Sequence, residues 1–221
     1  MQRKRAPRSR IPGNPPDDHP RALHLLQDEI AACTICPSLE PWRQFSRSAY
    51  GRPGTGYLMV GEAPGYVSWK NERRFTGPAG LLIRRALRRV DHPTYCDLED
   101  LFYLTDVVKC HPTPTENSRA NRSPSRAELS ACSGYLMREF EVIHPSVIVT
   151  FGKLATESVQ WVADHTAVSQ PTLELISFPH PSPRNQRTIL RRFPSMEAFE
   201  QAISVVFERL IARLEQRISY A

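Results

Sequence analysis

The sequence predicts an α/β fold: a three-layer α/β/α sandwich around a central, four-stranded, mostly parallel sheet. Three observations predict it. Four short apolar runs, Tyr57–Val60, Leu101–Val108, Val147–Phe151 and Leu173–Phe178, have the length and the branched or aromatic content of strands. Helical patterns lie between them, and strands alternating with helices build βαβ units with helices on both faces of the sheet. A chain of 221 residues, 40% hydrophobic and 24% charged, can bury one real core and is the size of one domain with extensions.

The first helix comes from Arg21 to Ala32, which spaces Leu23, Leu26 and Ile30 at helical intervals, and Cys33-Thr34-Ile35-Cys36-Pro37 stops it. Ala79–Val90 places Leu81, Leu82, Ala86 and Val90 inside, with Arg84, Arg85, Arg88 and Arg89 on a solvated exterior. Ser125 precedes Glu128 by three, a capping box that opens a helix to Ile143. Lys153–Val162 is a further helix, and Ser195 caps a long last one to about Ile218. Ligands of such sheets bind beyond the carboxyl ends of the strands. The informative loops are therefore GEAPG after the first run, KCHPTPT after the second, GKLA after the third and PHPSPRN after the fourth.

Charge is uneven. Residues 1–20 carry five cations and two anions, half of the net +6, in a Pro-, Arg- and Ser-rich stretch that can bury nothing. That stretch reads as a disordered basic tail of the kind that touches nucleic-acid phosphates, leaving 21–221 as a single domain. No run approaches the ~18 apolar residues of a membrane span, and the basic start has no apolar segment behind it. A soluble intracellular protein is expected.

Five cysteines without an export signal point to metal or redox chemistry rather than disulfides. Cys33 and Cys36 form C-x2-C, Cys110 follows the second strand, and Cys132 lies in the capped helix. Four thiolates from separate elements suit zinc or a [4Fe–4S] cluster, and the wide split of the second pair leans toward the cluster. With four thiolate ligands the centre has no open position, so its work is to pin loops. Cys96 reads as a buried free cysteine.

Taken together, Gly61-Glu62-Ala63-Pro64-Gly65, Arg74-Phe75-Thr76-Gly77-Pro78-Ala79-Gly80-Leu81-Leu82, Thr105-Asp106-Val107-Val108-Lys109-Cys110 and His180-Pro181-Ser182 resemble the uracil-DNA glycosylase superfamily, closest to its iron–sulfur family 4. The resemblance runs from about Cys33 to Ser182. It implies a [4Fe–4S] cluster on Cys33, Cys36, Cys110 and Cys132. It also implies a monofunctional glycosylase that hydrolyses the N-glycosidic bond of uracil or another deaminated base flipped out of DNA, leaving an abasic site. The base leaves as an anion while the sugar becomes cation-like, so the site needs donors at the base oxygen and a negative group near the sugar. On this reading Glu62, Asp106 and His180 are catalytic. Gly61, Ala63, Pro64, Gly65, Phe75 and Asp106 hold the base, with Phe75 stacking on it. Ser182, Pro183, Arg184 and Lys109 meet DNA, and Arg73, Arg74, Arg119, Arg122 and Arg187 are further phosphate candidates. The partner is damaged DNA, met by a monomer in the cytoplasm at the nucleoid, with no membrane. The alternative is a non-catalytic damage-binding protein of the same fold.

Two departures stand out. The family's usual Asn, which both accepts from and donates to uracil, is Asp106 here, and a usual second acid is Ser68. An ionised carboxylate only accepts. Either the acid has moved to Asp106, or Asp106 reads a base other than uracil. The His111–Pro124 loop is also longer than the family's.

Overall fold

A computed structural model describes residues 18–40, 47–113, 119–166 and 173–219. The tail assigned to residues 1–20 lies outside them up to residue 17, as does the middle of the 111–124 loop. Helix α1 (Asp18–Ala32) starts before the Arg21 read from its apolar spacing.

Strands β2 (Tyr57–Gly61), β3 (Tyr103–Asp106), β5 (Val147–Phe151) and β6 (Glu174–Phe178) form one sheet in the order β3-β2-β5-β6. Every pairing in it is parallel. Crossovers run through α2 (Tyr66–Lys70), α3 (Pro78–Arg88) and α4 (Leu98–Leu101) between the first two strands, then α5 (Arg126–Ile143) and α6 (Lys153–His165). Helices α7 (Gln186–Ile189) and α8 (Met196–Ser219) come after the sheet.

Alternation along β2 builds two cores. Tyr57 and Met59 pack with α3 and α8 through Leu82, Ile83, Phe199, Ile203 and Phe207. Leu58 and Val60 face α1, α5 and α6 through Leu23, Leu136, Phe140, Val159 and Val162. These are the three expected layers. Outside the sheet, β1 (Leu39–Glu40) pairs antiparallel with β4 (His111–Pro112), which draws the Cys33–Cys36 turn to the end of the β3 segment.

The caps read from sequence form as expected. Ser125 Oγ accepts from the Glu128 N–H at 3.3 Å while Glu128 Oε2 accepts from the Ser125 N–H at 2.7 Å. Ser195 Oγ accepts from the Ala198 N–H at 3.0 Å. Three readings are corrected. The Leu101–Val108 run is not one strand: Asp97 and Asp100 close a capping box that winds Leu98–Leu101 into a helical turn, and the chain extends only from Tyr103. Leu81 is 47% exposed, not inside. Arg84 is 2% exposed, not on a solvated face. Turning α3 so that Leu82, Ile83, Ala86 and Leu87 meet the core leaves Arg84 under the loop that precedes the helix.

Candidate active site and cysteine cavity

The carboxyl ends of β2 and β3 lie side by side, with Gly61 opposite Asp106. A Cβ at Gly61 would stand 2.4 Å from Asp106 Oδ1 and 3.3 Å from Phe75 Cε1. Only a glycine lets the carboxylate and the aromatic ring close over the strand end, so three of the predicted base-site residues converge on one point. Backbone bonds fix the strand end: Gly61 O accepts from the Val107 N–H at 2.9 Å and Glu62 O from the Val108 N–H at 3.0 Å.

Phe75 has φ +54, a left-handed conformation that a bulky side chain rarely takes. Its backbone rests on α3 where a Cβ at Gly80 would meet Phe75 C at 2.1 Å. Arg84 holds it there, donating from Nε to Phe75 O at 3.0 Å and from Nη2 to Arg74 O at 2.7 Å. Arg84 in turn is bonded to Asp97 and to both oxygens of Glu99, which Arg73 also clasps at 2.8 Å. Burial would raise the Glu99 carboxyl, but the two arginines overcome it and hold it down to about 2. A left-handed aromatic residue held by this many partners is backbone strain of the kind that collects at functional segments.

Asp106 is buried and paired with Arg74, which is 1% exposed. The Arg74 guanidinium lies 4.7 Å from the centre of the Tyr50 ring, and Tyr50 stacks on Tyr103 at 5.6 Å. Burial pushes the Asp106 carboxyl above its ordinary value, with Arg74 and then Lys109 pulling it back. Lys109 Nζ donates to Asp106 O at 2.7 Å, Thr105 Oγ1 at 2.7 Å and Glu139 Oε2 at 2.6 Å. Lys109 is 2% exposed and Arg74 1%, which corrects their reading as DNA contacts: each is spent on a buried carboxylate. Arg122 is bound to Glu128, and Arg73, though partly exposed, to Asp97 and Glu99. Arg119, Arg184 and Arg187 are exposed.

His180 is half-buried, and burial pulls its imidazole below the ordinary value, which favours the neutral ring. It sits against Gly152, whose φ of +101 and whose would-be Cβ, 3.2 Å from His180 Cβ, leave no room for another residue. Sheet order places it beyond β6, at the opposite margin from Asp106. Its contact with Gly152 brings it back over the carboxyl end of β5, the neighbour of β2, with Glu62 following β2 between it and Asp106. No hydrogen bond or ring contact joins His180 to Glu62, Phe75 or Asp106 among the described residues. Ser182 is half-buried, and Pro183 and Arg184 are exposed in the turn after it.

Pro64 O and His111 Nδ1 are 2.9 Å apart, and the Tyr66 N–H donates to Asn121 Oδ1 at 2.8 Å, so the GEAPG loop is tied to the segment after β3. Ala63 packs with Leu39, Val108 and Cys132. Behind that contact Cys33, Cys36, Cys110 and Cys132 line one cavity of about 260 Å³. All five cysteines are free thiols. Cys132 Sγ accepts from the Lys109 N–H at 3.3 Å, and burial pushes its thiol up to about 11. The four thiols surround a volume without converging on a point: among the described residues no three metal-ligating side chains are placed to hold a single ion. Four thiols are a donor set that a thiolate-ligated metal centre could use. Cys96 is exposed rather than buried, its Sγ donating to His92 O and Pro93 O.

Sequence reasoning missed Arg84, Asp97, Glu99, Tyr50 and Glu139. The Asp97–Asp100 spacing was the one local signal. The others matter only through partners distant in the chain.

The profile of the family described as "Uracil DNA glycosylase superfamily" matches residues 48–204, more than half of the chain and the whole of the Gly61–His180 edge. The chain belongs to the uracil DNA glycosylase superfamily. Within it, the chain is 35% identical over 144 residues to a type-4 uracil-DNA glycosylase of Sulfurisphaera tokodaii, covering 62% of this chain and 58% of that protein. It is 34% identical to the type-4 enzyme of Thermotoga maritima over 60% of this chain and 63% of the relative. A type-5 uracil-DNA glycosylase of Pyrobaculum aerophilum is 27% identical over a longer stretch, 73% of this chain and 83% of the relative. The match thus spans less than two thirds of the type-4 relatives' length. The Gly61–Phe75–Asp106 cluster lies inside the region that defines the superfamily. No described helix is long and apolar enough to cross a membrane.

Proposed function

We propose that this protein is a monofunctional DNA glycosylase that removes a deaminated base everted from DNA and leaves an abasic site. The observation that carries the reading is the convergence of the Phe75 ring and Asp106 Oδ1 on Gly61, a stacking surface and an edge reader meeting at a strand end bare enough for close approach. A neutral His180 donates its ring N–H to the base oxygen as negative charge collects there, without first needing a proton. Glu62, between the two margins, stands where a carboxylate orders the attacking water and faces the cation-like sugar. Ser182, Pro183 and Arg184 form the exposed turn that meets the duplex, and the protein works as a monomer at the nucleoid.

Cys33, Cys36, Cys110 and Cys132 would hold a [4Fe–4S] cluster. When bound, such a cluster supplies a rigid thiolate-ligated anchor and no open coordination site for the reaction. Through Ala63 and the Lys109 N–H, those residues brace the GEAPG loop and the Asp106 segment.

Alkali cleavage of duplexes carrying uracil, hypoxanthine, xanthine or ethenocytosine tests the activity. The expected result is strand scission at one or more of these bases, with Glu62→Gln slower by roughly 10²–10⁴-fold, the usual span for positioned acid–base groups. Binding without scission on every duplex would leave only a damage-binding role. Aerobically purified protein should be brown and absorb near ~400 nm, a signature of thiolate-bound iron–sulfur centres. Colourless protein carrying zinc would refute the cluster.

A further inference from the structure

Given the glycosylase reading, on which this inference rests, the Arg74–Asp106 pair bears on which base the site takes. Guanidinium stays protonated at any working pH, so a carboxylate bonded to it inside the protein is favoured in its ionised, acceptor-only form, against the burial that pushes Asp106 the other way. Arg74 and Asp106 are both buried and their side chains are bonded through Asp106 Oδ2, while Oδ1 is the oxygen over Gly61 beside the Phe75 ring. The other charged groups facing the pair are Lys109, on the Asp106 carbonyl, and Glu139 behind it, with the Tyr50 ring over Arg74. Lys109 and Glu139 neutralise one another and Arg74 balances Asp106, so what the pair presents over Gly61 is an acceptor oxygen, Asp106 Oδ1, rather than a net charge.

An amide reader offers one donor and one acceptor; this carboxylate offers acceptors alone. Uracil carries its ring N3–H between two carbonyl oxygens. Whichever way the carboxylate meets that N–H, its second oxygen faces a carbonyl. Xanthine places its N1–H between carbonyls in the same way. Hypoxanthine has a carbonyl on one side of N1–H and a C2–H on the other, and a C–H beside an acceptor is weakly favourable rather than repulsive. Guanine would satisfy the reader as well, but an intact pair resists eversion, whereas a deaminated and mispaired base is the cheapest to flip.

We propose that Arg74 is a specificity-determining positioning residue that holds Asp106 as an acceptor-only reader, and that the site therefore takes hypoxanthine in DNA in preference to uracil. The test is single-turnover excision from two duplexes that differ only in the damaged base. The wild type should excise hypoxanthine faster than uracil by about tenfold or more, the scale on which unmatched polar groups discriminate. Asp106→Asn restores a donor and should reverse the order. Arg74→Lys keeps the charge and should keep the wild-type preference, while Arg74→Met should lose it. The double variant Arg74→Met/Asp106→Asn leaves neither charge buried, so it folds where a single variant fails, and it should prefer uracil.

A wild type that excises uracil as fast as hypoxanthine overturns the proposal, as does a preference unchanged in Asp106→Asn. Equal losses on both bases in Arg74→Met that Arg74→Lys does not rescue would make Arg74 a packing residue only. Excision of neither base by the wild type would overturn this preference, and the glycosylase reading falls with it only where xanthine and ethenocytosine duplexes are left uncut as well.

Discussion

The two ends of the Ala63 contact are built on opposite principles. On the pocket side the polar groups are already matched: Arg84 with Asp97 and Glu99, Arg74 with Asp106, Lys109 with Glu139. On the cysteine side four thiols line a cavity, and the buried Cys132 is costly to ionise as it stands. The first region is held by charges the chain itself supplies. On the proposed reading, the second would be held by a cofactor that turns thiols into thiolate ligands. The contrast teaches where each should fail: the pocket by breaking a salt bridge, the cavity by losing metal.

The largest effect should come from the cysteine side. Cys132→Ala removes a ligand from the most buried corner of the cavity, and a structural metal centre carries folding free energy outright. The expected result is loss of the ~400 nm absorbance together with a thermal midpoint lowered by about ten degrees, on the order of 2.5–5 kcal/mol for a domain of this size. Retained absorbance would remove Cys132 from the ligand set.

Next comes the arginine clamp. Arg84→Met leaves Asp97 and Glu99 with only the partly exposed Arg73 as a partner, and breaking a buried pair by removing one partner costs about 3–5 kcal/mol. Because Asp97 and Glu99 keep some solvent access, the lower end of that range is expected from denaturant titration. An unchanged midpoint would show that the clamp does not hold the loop.

Acid should act on the same clamp. Glu99 and Glu128 are each held at about 2, below their ordinary values, so their contribution is complete above the unfolded carboxylate range near 4.5 and is lost as pH falls toward 2. Stability should therefore decline across that interval at the expense of these pairs. In a Glu99→Gln variant the decline should be shallower. His180 works in the same direction at higher pH: its lowered value means that the unfolded chain protonates first as pH drops through about 6.5. The smallest effect belongs to the surface. Arg89→Ala, which removes 3.5 Å pairs with the exposed Glu197 and with Glu200, the latter still held by Arg85, should shift stability by less than about 0.5 kcal/mol.

How much of this was legible in the sequence depends on the range of the forces involved. Three of the four strands, the Ser125 and Ser195 caps and the loops at the strand ends are set by neighbours within a few residues, and they read correctly. The Gly61–Phe75–Asp106 cluster was legible only through resemblance, since nothing local says that a ring from one loop closes over a glycine of another. Arg84 was misread because an arginine on an amphipathic helix looks solvated until a loop is laid over it. Lys109 and Arg74 were misread as phosphate contacts for the same reason: their carboxylate partners lie 30 and 32 residues away. Leu101 was taken into a strand because its apolarity outweighed the Asp97 cap.

The most direct test of the central claim is the single-turnover excision rate of Phe75→Ala on a duplex the wild type cuts. Loss of the stacking ring should slow base release by roughly 1–3 kcal/mol, about five- to a hundredfold, while the melting profile keeps its cooperativity. A variant that excises as fast as the wild type would mean that no everted base lies against Phe75, and that the cleft over Gly61 is not where this protein holds its substrate.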